Sequence, residues 1–471
     1  MLYAIFSLFF AGVYMFNKYR AVHFVGIGGV GMSGIAEVLH NLGYEVTGSD
    51  LKETDTTRRL AGLGIKVKIG HARENTDNAH VVVISAAVSA VNPEVIEAKR
   101  RAIPVIPRAE MLAELGRLKY GILVAGAHGK TTTTSLIATS LGEGGLDPTV
   151  VIGGRLNAMG SNARLGQGDY LVAEADESDG SFLKLNPTIA VITNIDREHM
   201  DFFKDMEALK SAFLTFINKI PFYGIAVVCL ENAYIREILP FIERKALTYG
   251  LTNTADIYAR NIRNDGVRMY FEPVMFGSSL GVFNIPAPGR HNVLNSLAAI
   301  AVAVELQIPP AVISKALSKF GGIHRRFEFK GDEKGVKVYD DYGHHPSEIA
   351  ATLKAARECF INHRIVVLFQ PHRYTRTRDL MEEFAVSFKD ADLIFLLDIY
   401  PAGEKPIEGI TAEVLCENMQ EVCTGAFHYE ADRKKMVESV FRELRRGDVL
   451  LTLGAGDVYK MGDEILKRIR G

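Results

Sequence analysis

Cysteine is scarce in this sequence, and no two cysteines are spaced as a C-x-x-C pair. The four that occur, Cys229, Cys359, Cys416 and Cys423, are scattered along the chain. Their spacing favours reduced thiols in a cytoplasmic protein over a disulfide framework or a cysteine zinc site.

An excess of charge of either sign is also lacking. The 54 Lys and Arg residues against 56 Asp and Glu residues give a formal net charge of −2. This balance offers no overall electrostatic footprint for nucleic acid, so we expect no nucleic-acid partner. The sequence contains neither a fixed-period repeat nor a low-complexity segment.

Long apolar runs are absent except at the N-terminus. Residues 1–16 are almost wholly apolar and are followed by Lys18 and Arg20. The stretch is shorter than the ~20 residues of a membrane-spanning helix, and it lacks the basic start and the cleavage site of a signal peptide. Residues 1–18 are therefore an apolar extension with three interpretations: translation that starts near Met15, a weak membrane anchor, or a packed extra helix. Only this extension leaves membrane contact open, and the expected location is the cytoplasm.

Short apolar runs alternate with helical patterns almost from end to end. The alternation predicts βαβ units and parallel sheets, an α/β fold, and 471 residues correspond to about three domains. Helices are predicted at residues 34–42, 132–141 and 293–306. Strands are predicted at residues 22–25, 44–47, 81–85, 105–106, 122–125, 170–173, 189–193, 225–229, 336–339, 365–369, 393–397 and 449–453.

The strand at 122–125 runs into Gly-Ala-His-Gly-Lys-Thr at 126–131, a pattern typical of a phosphate-binding loop. The glycines let backbone N–H groups face an anion, Lys130 supplies a positive charge, and Thr131 can reach Mg²⁺. The positive N-terminal end of the following helix adds to this field. The usual spacing puts glycine at position 124, where this chain has Val124. The loop is therefore a shortened variant.

A second glycine-rich segment, Gly-Ile-Gly-Gly-Val-Gly at 26–31, follows the first strand, and Asp50 ends the next one. This is the Rossmann fingerprint, with a pyrophosphate on the helix N-terminus and an acid on ribose hydroxyls. The spacing does not distinguish NAD from another diphosphate nucleotide such as a UDP-sugar. His71 and Ser85 lie near the same predicted crevice and are candidate contacts, although each alone is more often an ordinary surface or turn residue.

Acidic residues follow two strands of the middle region. Residues 174–179 carry four acids after one strand, and His199 stands among carboxylates after the next. In a phosphate-loop domain, a carboxylate at such a strand end meets the metal. With Thr131 and Glu174, His199 is a candidate Mg²⁺ ligand, although imidazole is an uncommon one. The alternatives are a solvated acidic turn and a structural histidine.

Further polar segments occur toward the C-terminus. Asn292 precedes a predicted helix and is placed either to bind an adenine edge or to cap that helix. Asp-Asp-Tyr-Gly-His-His-Pro at 340–346 and Gln-Pro-His-Arg-Tyr-Thr-Arg-Thr-Arg at 370–378 end two strands. Arginine pairs in such loops suit bidentate recognition of carboxylate and phosphate. The alternative is a solvated basic helix start.

Together these segments resemble the Mur ligases. The resemblance rests on the ordered motifs at 26–31, 126–131, 174–179, 193–201, 289–292 and 340–346 and extends from about Tyr19 to the C-terminus. It implies three domains: a Rossmann-like UDP-substrate domain at 19–117, a P-loop ATP domain at 118–320 and a Rossmann-like amino-acid domain at 321–471. Domain closure would then require hinges near 115–119 and 318–322.

Within the family, the motifs are most similar to those of the member that joins L-alanine to UDP-N-acetylmuramate. This protein is expected to be a monomer or a homodimer. The resemblance implies ATP and Mg²⁺ as cofactors, with Thr131, Glu174 and His199 on the metal. The nucleotide would be bound by Gly126, His128, Gly129, Lys130, Thr131, Thr132 and Asn292. The substrates would be bound by Gly28, Gly31, Asp50, His71, Ser85, Tyr342, Arg373 and Arg376. The implied catalytic residues are Lys130, His199, Arg326, His344, Arg373 and Arg376.

One position departs from sister ligases, which carry a carbamylated lysine in the helix after the His-Met-Asp motif. Phe213 aligns there, with Lys210 one turn earlier, so the ligands of a second metal stay open. Three rival functions also stay open. They are a ligase that attaches a preformed peptide to the same UDP-sugar, an NAD-dependent dehydrogenase built on the first glycine loop, and a nucleotide-gated binding protein without catalysis.

Overall fold

The structure, a computed structural model, describes residues 19–85, 87–156, 161–423 and 425–471. The apolar extension 1–18 and its three interpretations lie outside the described residues. The chain divides into two compact units. The first contains the described residues up to Arg260 with Pro273–Gly281 and Leu294–Phe320, and the second contains Asn261–Glu272, Val282–Val293 and Gly321–Gly471. The predicted bounds of three domains stay a prediction.

The first sheet is five-stranded and parallel, in the order β3-β2-β1-β4-β5. Its central strand β1 (Ala21–Val25) is buried throughout because it lies between two strands and beneath helices. The chain turns to opposite sides of β1, which opens a crevice at the carboxyl end of that strand. The other elements are α1 (Val30–Asn41), β2 (Glu45–Asp50), α2 (Asp55–Gly62), β3 (Lys66–Ile69), a 3₁₀ turn (Arg73–Thr76), β4 (Val81–Ile84), α3 (Pro93–Arg100), β5 (Val105–Pro107) and α4 (Arg108–Gly116).

The second sheet has a parallel centre in the order β7-β9-β6-β10-β11-β12-β13, and antiparallel pairs extend it. Its central strands are continuous apolar runs because both of their faces are covered. The strands are β6 (Tyr120–Ala125), β7 (Thr149–Leu156), β8 (Ser161–Arg164), β9 (Tyr170–Glu174), β10 (Ile189–Ile192), β11 (Ile225–Cys229), β12 (Ala246–Gly250), β13 (Ile257–Asp265), β14 (Arg268–Met275), β15 (Ser278–Ser279) and β16 (Phe283–Ile285).

Helices and 3₁₀ turns connect these strands. They are α5 (Lys130–Glu143), a turn at Ser181–Lys184, α6 (Met200–Phe203), α7 (Met206–Asn218), α8 (Ala233–Ile238), a turn at Leu239–Phe241, α9 (Arg290–Glu305) and α10 (Pro310–Ser318). The order places β9 and β10 on either side of β6. Residues that follow these three strands therefore meet at one edge of the sheet.

The third sheet lies in the second unit, in the order β17-β18-β22-β19-β20-β21, with only β17 antiparallel. Its carboxyl edge collects the loops after β18, β22 and β19. The elements are β17 (Glu328–Glu333), β18 (Val336–Asp341), α11 (Pro346–Cys359), β19 (Ile365–Phe369), α12 (Tyr374–Asp379), α13 (Met381–Ser387), β20 (Leu393–Leu396), α14 (Ala412–Val422), β21 (Ala426–Tyr429), α15 (Arg433–Glu443), β22 (Val449–Leu453) and α16 (Tyr459–Arg470).

The predicted α/β fold is confirmed, and the predicted strands are present with small shifts at their ends. The sequence analysis missed edge strands such as β3, whose Lys-Val-Lys-Ile sequence is largely exposed, because such a strand has no apolar run. Three helices also begin two to four residues earlier than predicted, at Val30, Lys130 and Arg290, because each glycine-containing loop leads directly into its helix. Among the described residues, no helix is both long and apolar enough to cross a membrane.

Candidate active site

The loop between β6 and α5 depends on its two glycines. Gly126 has a φ of +134° and Gly129 has a φ of +80°. Residues that carry a side chain rarely adopt such angles. A Cβ on Gly126 would collide with the Thr193 hydroxyl and lie 2.8 Å from the Asn194 carbonyl oxygen, and one on Gly129 would lie 2.7 Å from Asn295 Oδ1. The loop is therefore held close against neighbouring strands and helices.

The residues after β10 fix the path of this loop, a role that the sequence analysis did not assign. The Asn194 side chain accepts a hydrogen bond from His128 N at 2.9 Å and donates one to His128 O at 2.9 Å. Thr193 Oγ1 also donates to His128 O, at 2.6 Å, and the His128 ring pairs with Asp196 at 2.9 Å. His128 thus anchors the loop through both its backbone and its ring.

Lys130 is the first residue of α5, and its ammonium is turned toward the acidic loop after β9. Lys130 Nζ lies 2.9 Å from Glu177 Oε1 and donates to the carbonyls of Gly126 and Ala127 at 2.5 and 3.2 Å. Burial opposes the charge, but Glu177 and Asp176 raise the pKa of Lys130 above its usual value. An arriving phosphate would therefore compete with Glu177 for a fully charged lysine.

The start of α5 fits a nucleotide phosphate. Its N-cap is Gly129, no side chain caps it, and its first turn contains no acidic residue. Thr131 lies partly exposed in this turn, whereas Thr132 is buried. Free backbone donors, a left-handed glycine and a lysine are what an anion at a helix N-terminus requires.

His199, one of the three predicted magnesium ligands, lies in a cluster of possible metal ligands. Ligand atoms of Glu177, Glu198 and His199 lie within 4.8 Å of one another, and a left-handed backbone at His199, φ +60°, turns its side chain there. Glu174 accepts a hydrogen bond from Gly153 N at 2.7 Å. The two carboxylates suit Mg²⁺, whereas the imidazole is an uncommon partner for this ion. The sequence analysis did not select Glu177 and Glu198, which the shared sheet edge places beside His199.

The crevice at β1 holds the residues that were predicted for the UDP moiety. Asp50 Oδ2 accepts a hydrogen bond from Gly28 N at 2.8 Å. Ser85 Oγ lies 3.6 Å from the point that a Cβ on Gly26 would occupy. Gly31 lies in the first turn of α1, which has no side-chain cap and no acidic residue in that turn. These residues therefore share one crevice, and their contacts with a ligand stay a prediction.

His71 reaches this crevice from a buried network that sequence reasoning did not find. Ser49 Oγ donates to Glu94 Oε2 at 2.6 Å and lies 2.9 Å from His71 Nδ1. Since Ser49 has a single hydroxyl proton, His71 Nδ1 is the donor in their contact. Glu94 is fully buried and also accepts from Asn75 Nδ2 at 2.5 Å. Burial alone would raise the pKa of Glu94, but hydrogen bonds from His23, Ser49 and Asn75 lower it to about 2.

Replacement of Glu94 by Gln is expected to destabilise the first sheet by roughly 2–3 kcal/mol at neutral pH, since a lowered carboxyl pKa is a stabilising contribution. The contribution is complete above the unfolded pKa near 4.5 and is lost as pH falls toward 2. Denaturant unfolding of both proteins between pH 3 and 7 should show the gap narrowing below pH 4.5. Glu97→Gln on the same helix removes a surface pair with Arg100 and should change little. A gap that is independent of pH would contradict this prediction.

In the second unit, Arg325 joins the loops after β18 and β22. Its buried guanidinium donates to Asp340 Oδ2 at 3.0 Å, to Gly456 O at 2.9 Å and to Gly454 O. The predicted catalytic Arg326 is more exposed, with Nη1 3.4 Å from Glu348 Oε1. Its guanidinium carbon lies 5.3 Å from the centre of the Tyr342 ring. Arg325 is therefore the structural partner that holds this loop, and the contact of Arg326 with a ligand stays a prediction.

Asp341 underlies the same loop as a buried acceptor. It receives hydrogen bonds from Phe327 N at 2.7 Å and Gly343 N at 2.8 Å. Burial raises the pKa of Asp341 to about 6, although Arg326 opposes the shift. The carboxyl group shapes the turn that carries Tyr342 and His344.

The two polar loops of this unit, at 340–346 and 370–378, meet through their aromatic rings. The rings of Tyr342 and His344 lie 5.2 Å apart, His344 and His372 lie 5.6 Å apart, and His372 stacks on Tyr400 at 5.5 Å. Arg376 Nη1 lies 3.4 Å from His372 Nδ1. Burial, with the nearby charges of His344 and Arg376, lowers the pKa of His372 to about 3. The result is a row of aromatic rings beside a basic group.

Arg373 lies in the second of these loops, directly before α12. Its backbone is strained, with a φ of +73°. Its backbone N–H donates to Tyr400 O at 2.9 Å, which fixes the turn into α12. Such a conformation in a side-chain-bearing residue is typical of functional sites.

Asn292 is the third residue of α9 rather than its N-cap, so the capping interpretation is wrong. Its amide donates to Pro288 O at 2.7 Å. The neighbouring His291 is partly buried, and desolvation lowers the pKa of this imidazole to about 4. The adenine contact of Asn292 stays a prediction.

The sequence matches three family models that together cover most of the chain. They are described as "Mur ligase family, catalytic domain" over residues 21–120, "Mur ligase middle domain" over residues 124–303 and "Mur ligase, glutamate ligase domain" over residues 325–456. The chain belongs to the Mur ligase family. It is 57% identical over 457 residues to the UDP-N-acetylmuramate–L-alanine ligase of Geotalea uraniireducens, covering 97% of this chain and all of that protein. The ligase of the same description from Anaeromyxobacter dehalogenans is 55% identical, over 96% of this chain and 98% of the relative.

Solved structures agree with this membership. The crystal structure of UDP-N-acetylmuramate–alanine ligase from Thermotoga maritima superposes with a TM-score of 0.82 at 28% identity, over 95% of this chain and 98% of that one. A murein peptide ligase from Psychrobacter arcticus has a TM-score of 0.69 at 23% identity, over 96% and 99% of the two chains, which shows the shared fold.

The position at which sister Mur ligases carry a modified lysine is hydrophobic here. Phe213 is buried, with its ring 5.3 Å from that of Phe182. Lys210, one turn earlier, pairs with Glu207 at 2.6 Å and Glu237 at 2.7 Å. The hydrogen bonds that Lys210 donates to these two carboxylates raise its pKa. Carbamylation needs a neutral amine, so the arrangement disfavours that modification at Lys210.

Proposed function

We propose that this Mur ligase joins L-alanine to the carboxylate of UDP-N-acetylmuramate at the expense of ATP, a step of peptidoglycan precursor synthesis. The observation that carries the proposal is the phosphate loop at 126–131, which places Lys130 at an N-terminus of α5 without a side-chain cap. Carboxylates at the ends of both neighbouring strands border this loop. The near-complete match to relatives that are UDP-N-acetylmuramate–L-alanine ligases supports the choice of substrates.

The reaction has to activate the carboxylate of the sugar first, because a carboxylate resists attack by an amine. A carboxylate oxygen of the sugar attacks the γ-phosphorus of ATP, which gives an acyl phosphate and ADP. The neutral amine of alanine then attacks the carbonyl carbon, the amide forms, phosphate leaves with the bonding electrons, and the nitrogen loses a proton.

Phosphoryl transfer asks the protein for positioning and charge neutralisation more than for covalent chemistry. Lys130 and the α5 N-terminus neutralise the phosphates in this proposal. Magnesium would be bound by carboxylates and His199, with Thr131 and Glu174 as further predicted ligands. The ion would supply further positive charge. Arg326 faces the transferred phosphoryl group, while Arg373 and Arg376 bind the carboxylate of alanine beside Tyr342 and His344. Adenine is bound through Asn292.

The proposal is tested by ADP formation with UDP-N-acetylmuramate and one amine donor at a time. L-Alanine should give rapid ADP release and an equal amount of the amide, with glycine, L-serine and a preformed tripeptide slower. Omission of the UDP-sugar should leave only background hydrolysis of ATP. A preference for the tripeptide would support the peptide-attaching ligase instead, and nicotinamide reduction without ATP would support a dehydrogenase.

A further inference from the structure

We infer that Arg108 binds the pyrophosphate of the UDP-substrate at the N-terminus of α1 and is held in position for this contact by Asp176. The inference deepens the proposed function and rests on it. Arg108 belongs to neither glycine loop and to none of the motifs that carry the family resemblance, whereas Asp176 lies in the acidic motif at 174–179. It is the tertiary structure that brings the two residues together.

The first observation is the contact between Arg108 and the first glycine loop. Arg108 Nη1 lies 2.6 Å, and its guanidinium carbon 3.2 Å, from the point that a Cβ on Gly31 would occupy. The guanidinium is thus packed against the first turn of α1, and any side chain at position 31 would displace it. The third glycine of the fingerprint therefore serves here to admit an arginine.

The second observation is electrostatic. The N-terminal end of α1 is positive, has no side-chain cap and contains no acid in its first turn. A guanidinium beside that positive end favours the binding of an anion that both can contact. A substrate pyrophosphate is such an anion, and the planar fork of arginine matches its oxygens.

The third observation is the partner on the other side. Arg108 Nη2 donates to Asp176 Oδ2 at 3.2 Å. Among the described residues, this is the one hydrogen bond that the Arg108 guanidinium makes. Its Nε and Nη1 atoms can therefore donate to another acceptor. This hydrogen bond from Arg108 to the Asp176 carboxylate fixes one side of the guanidinium fork.

A second ionic pair steadies the same helix turn. Glu110, two residues after Arg108 in α4, lies 3.3 Å from Lys184 in the 3₁₀ turn that follows the acidic loop. The N-terminal turn of α4 is thus attached twice to the segment between β9 and β10. Asp176 belongs to the phosphate-loop side of this unit, yet it acts on the UDP-substrate through Arg108.

The test measures binding of UDP-N-acetylmuramate by calorimetry without ATP, together with its KM and kcat in the ligase assay. Arg108→Met should weaken binding roughly 10- to 100-fold, as expected for a charge-assisted contact, with a far smaller change in kcat. Arg108→Lys, which keeps the charge but loses the fork, should fall between Arg108→Met and the unchanged protein. Arg117→Met, at the exposed far end of the same helix, is the matched control and should bind within twofold of the unchanged protein.

Asp176 is tested as a positioning residue by a double-mutant cycle. Asp176→Asn should weaken binding of the UDP-substrate roughly 3- to 10-fold alone and should add nothing in the Arg108→Met background. Equal unfolding midpoints would show that the variants fold. Additive effects, or Arg108→Met binding within twofold while the unchanged protein turns over, would overturn the inference alone. Failure of the unchanged protein to bind UDP-N-acetylmuramate would overturn the proposed function as well.

Discussion

Replacement of Lys130 by methionine is expected to lower kcat at least a thousandfold. Lys130 is the cation at the start of α5, and Coulombic stabilisation of the transferred phosphoryl group is lost with it. A thousandfold loss corresponds to about 4 kcal/mol of transition-state stabilisation. The measurement is the initial rate of ADP release with UDP-N-acetylmuramate and L-alanine at saturating ATP. Lys245→Met, which removes an exposed lysine paired with Glu305, should retain the original rate.

The substitution also leaves Glu177 without its ammonium partner in a buried position. A loss of folding could then be mistaken for a loss of catalysis. The double variant Lys130→Met with Glu177→Gln removes that unpaired charge and should recover the unfolding midpoint while ADP release stays low. Recovery of turnover in the double variant, or normal turnover in Lys130→Met alone, would contradict the role of Lys130.

Replacement of Gly126 by alanine is expected to destabilise the first unit by roughly 2–5 kcal/mol and to abolish ATP binding. The added methyl group would collide with Thr193 and approach the Asn194 backbone, at a φ of +134°. Overpacking and strain at such a position each cost about 1–3 kcal/mol. Thermal unfolding and nucleotide binding by calorimetry measure the two effects.

Gly142→Ala provides the matched control, since Gly142 lies within α5 and a Cβ there would meet nothing within 4 Å. Alanine in a helix interior is favoured over glycine by roughly 0.5–1 kcal/mol. This variant should therefore unfold at an equal or higher temperature and bind ATP normally. Equal destabilisation by both substitutions would argue against a special path at Gly126.

The loss of charge and the loss of the glycine test different properties of one loop. Lys130 supplies charge to a ligand. The stability that is lost with Lys130, measured without ATP, should therefore be largely restored by a second substitution. Gly126 supplies space and backbone conformation, so no distant substitution should restore binding. The two outcomes together separate the electrostatics of the phosphate loop from its geometry.

Patterns of consecutive residues were enough to predict the α/β class, the internal strands, the two glycine loops and their order along the chain. These features are local, because a strand, a left-handed glycine and a helix start are each set by a few consecutive residues. The family resemblance follows from that order. The polar edge strand β3 escaped prediction because an exposed edge has no apolar run.

Only the tertiary structure decided which charged groups become partners. Lys130 meets Glu177, and Arg108 meets Asp176, across 47 and 68 residues of chain. His71 is positioned by Ser49, which is hydrogen-bonded to Glu94 of helix α3. Such pairs depend on strand order, because parallel strands bring their carboxyl ends to one edge whatever their separation in sequence. Charge and spacing therefore revealed the phosphate loop, whereas the acids that hold Lys130 and Arg108 emerged from the packing of the sheet.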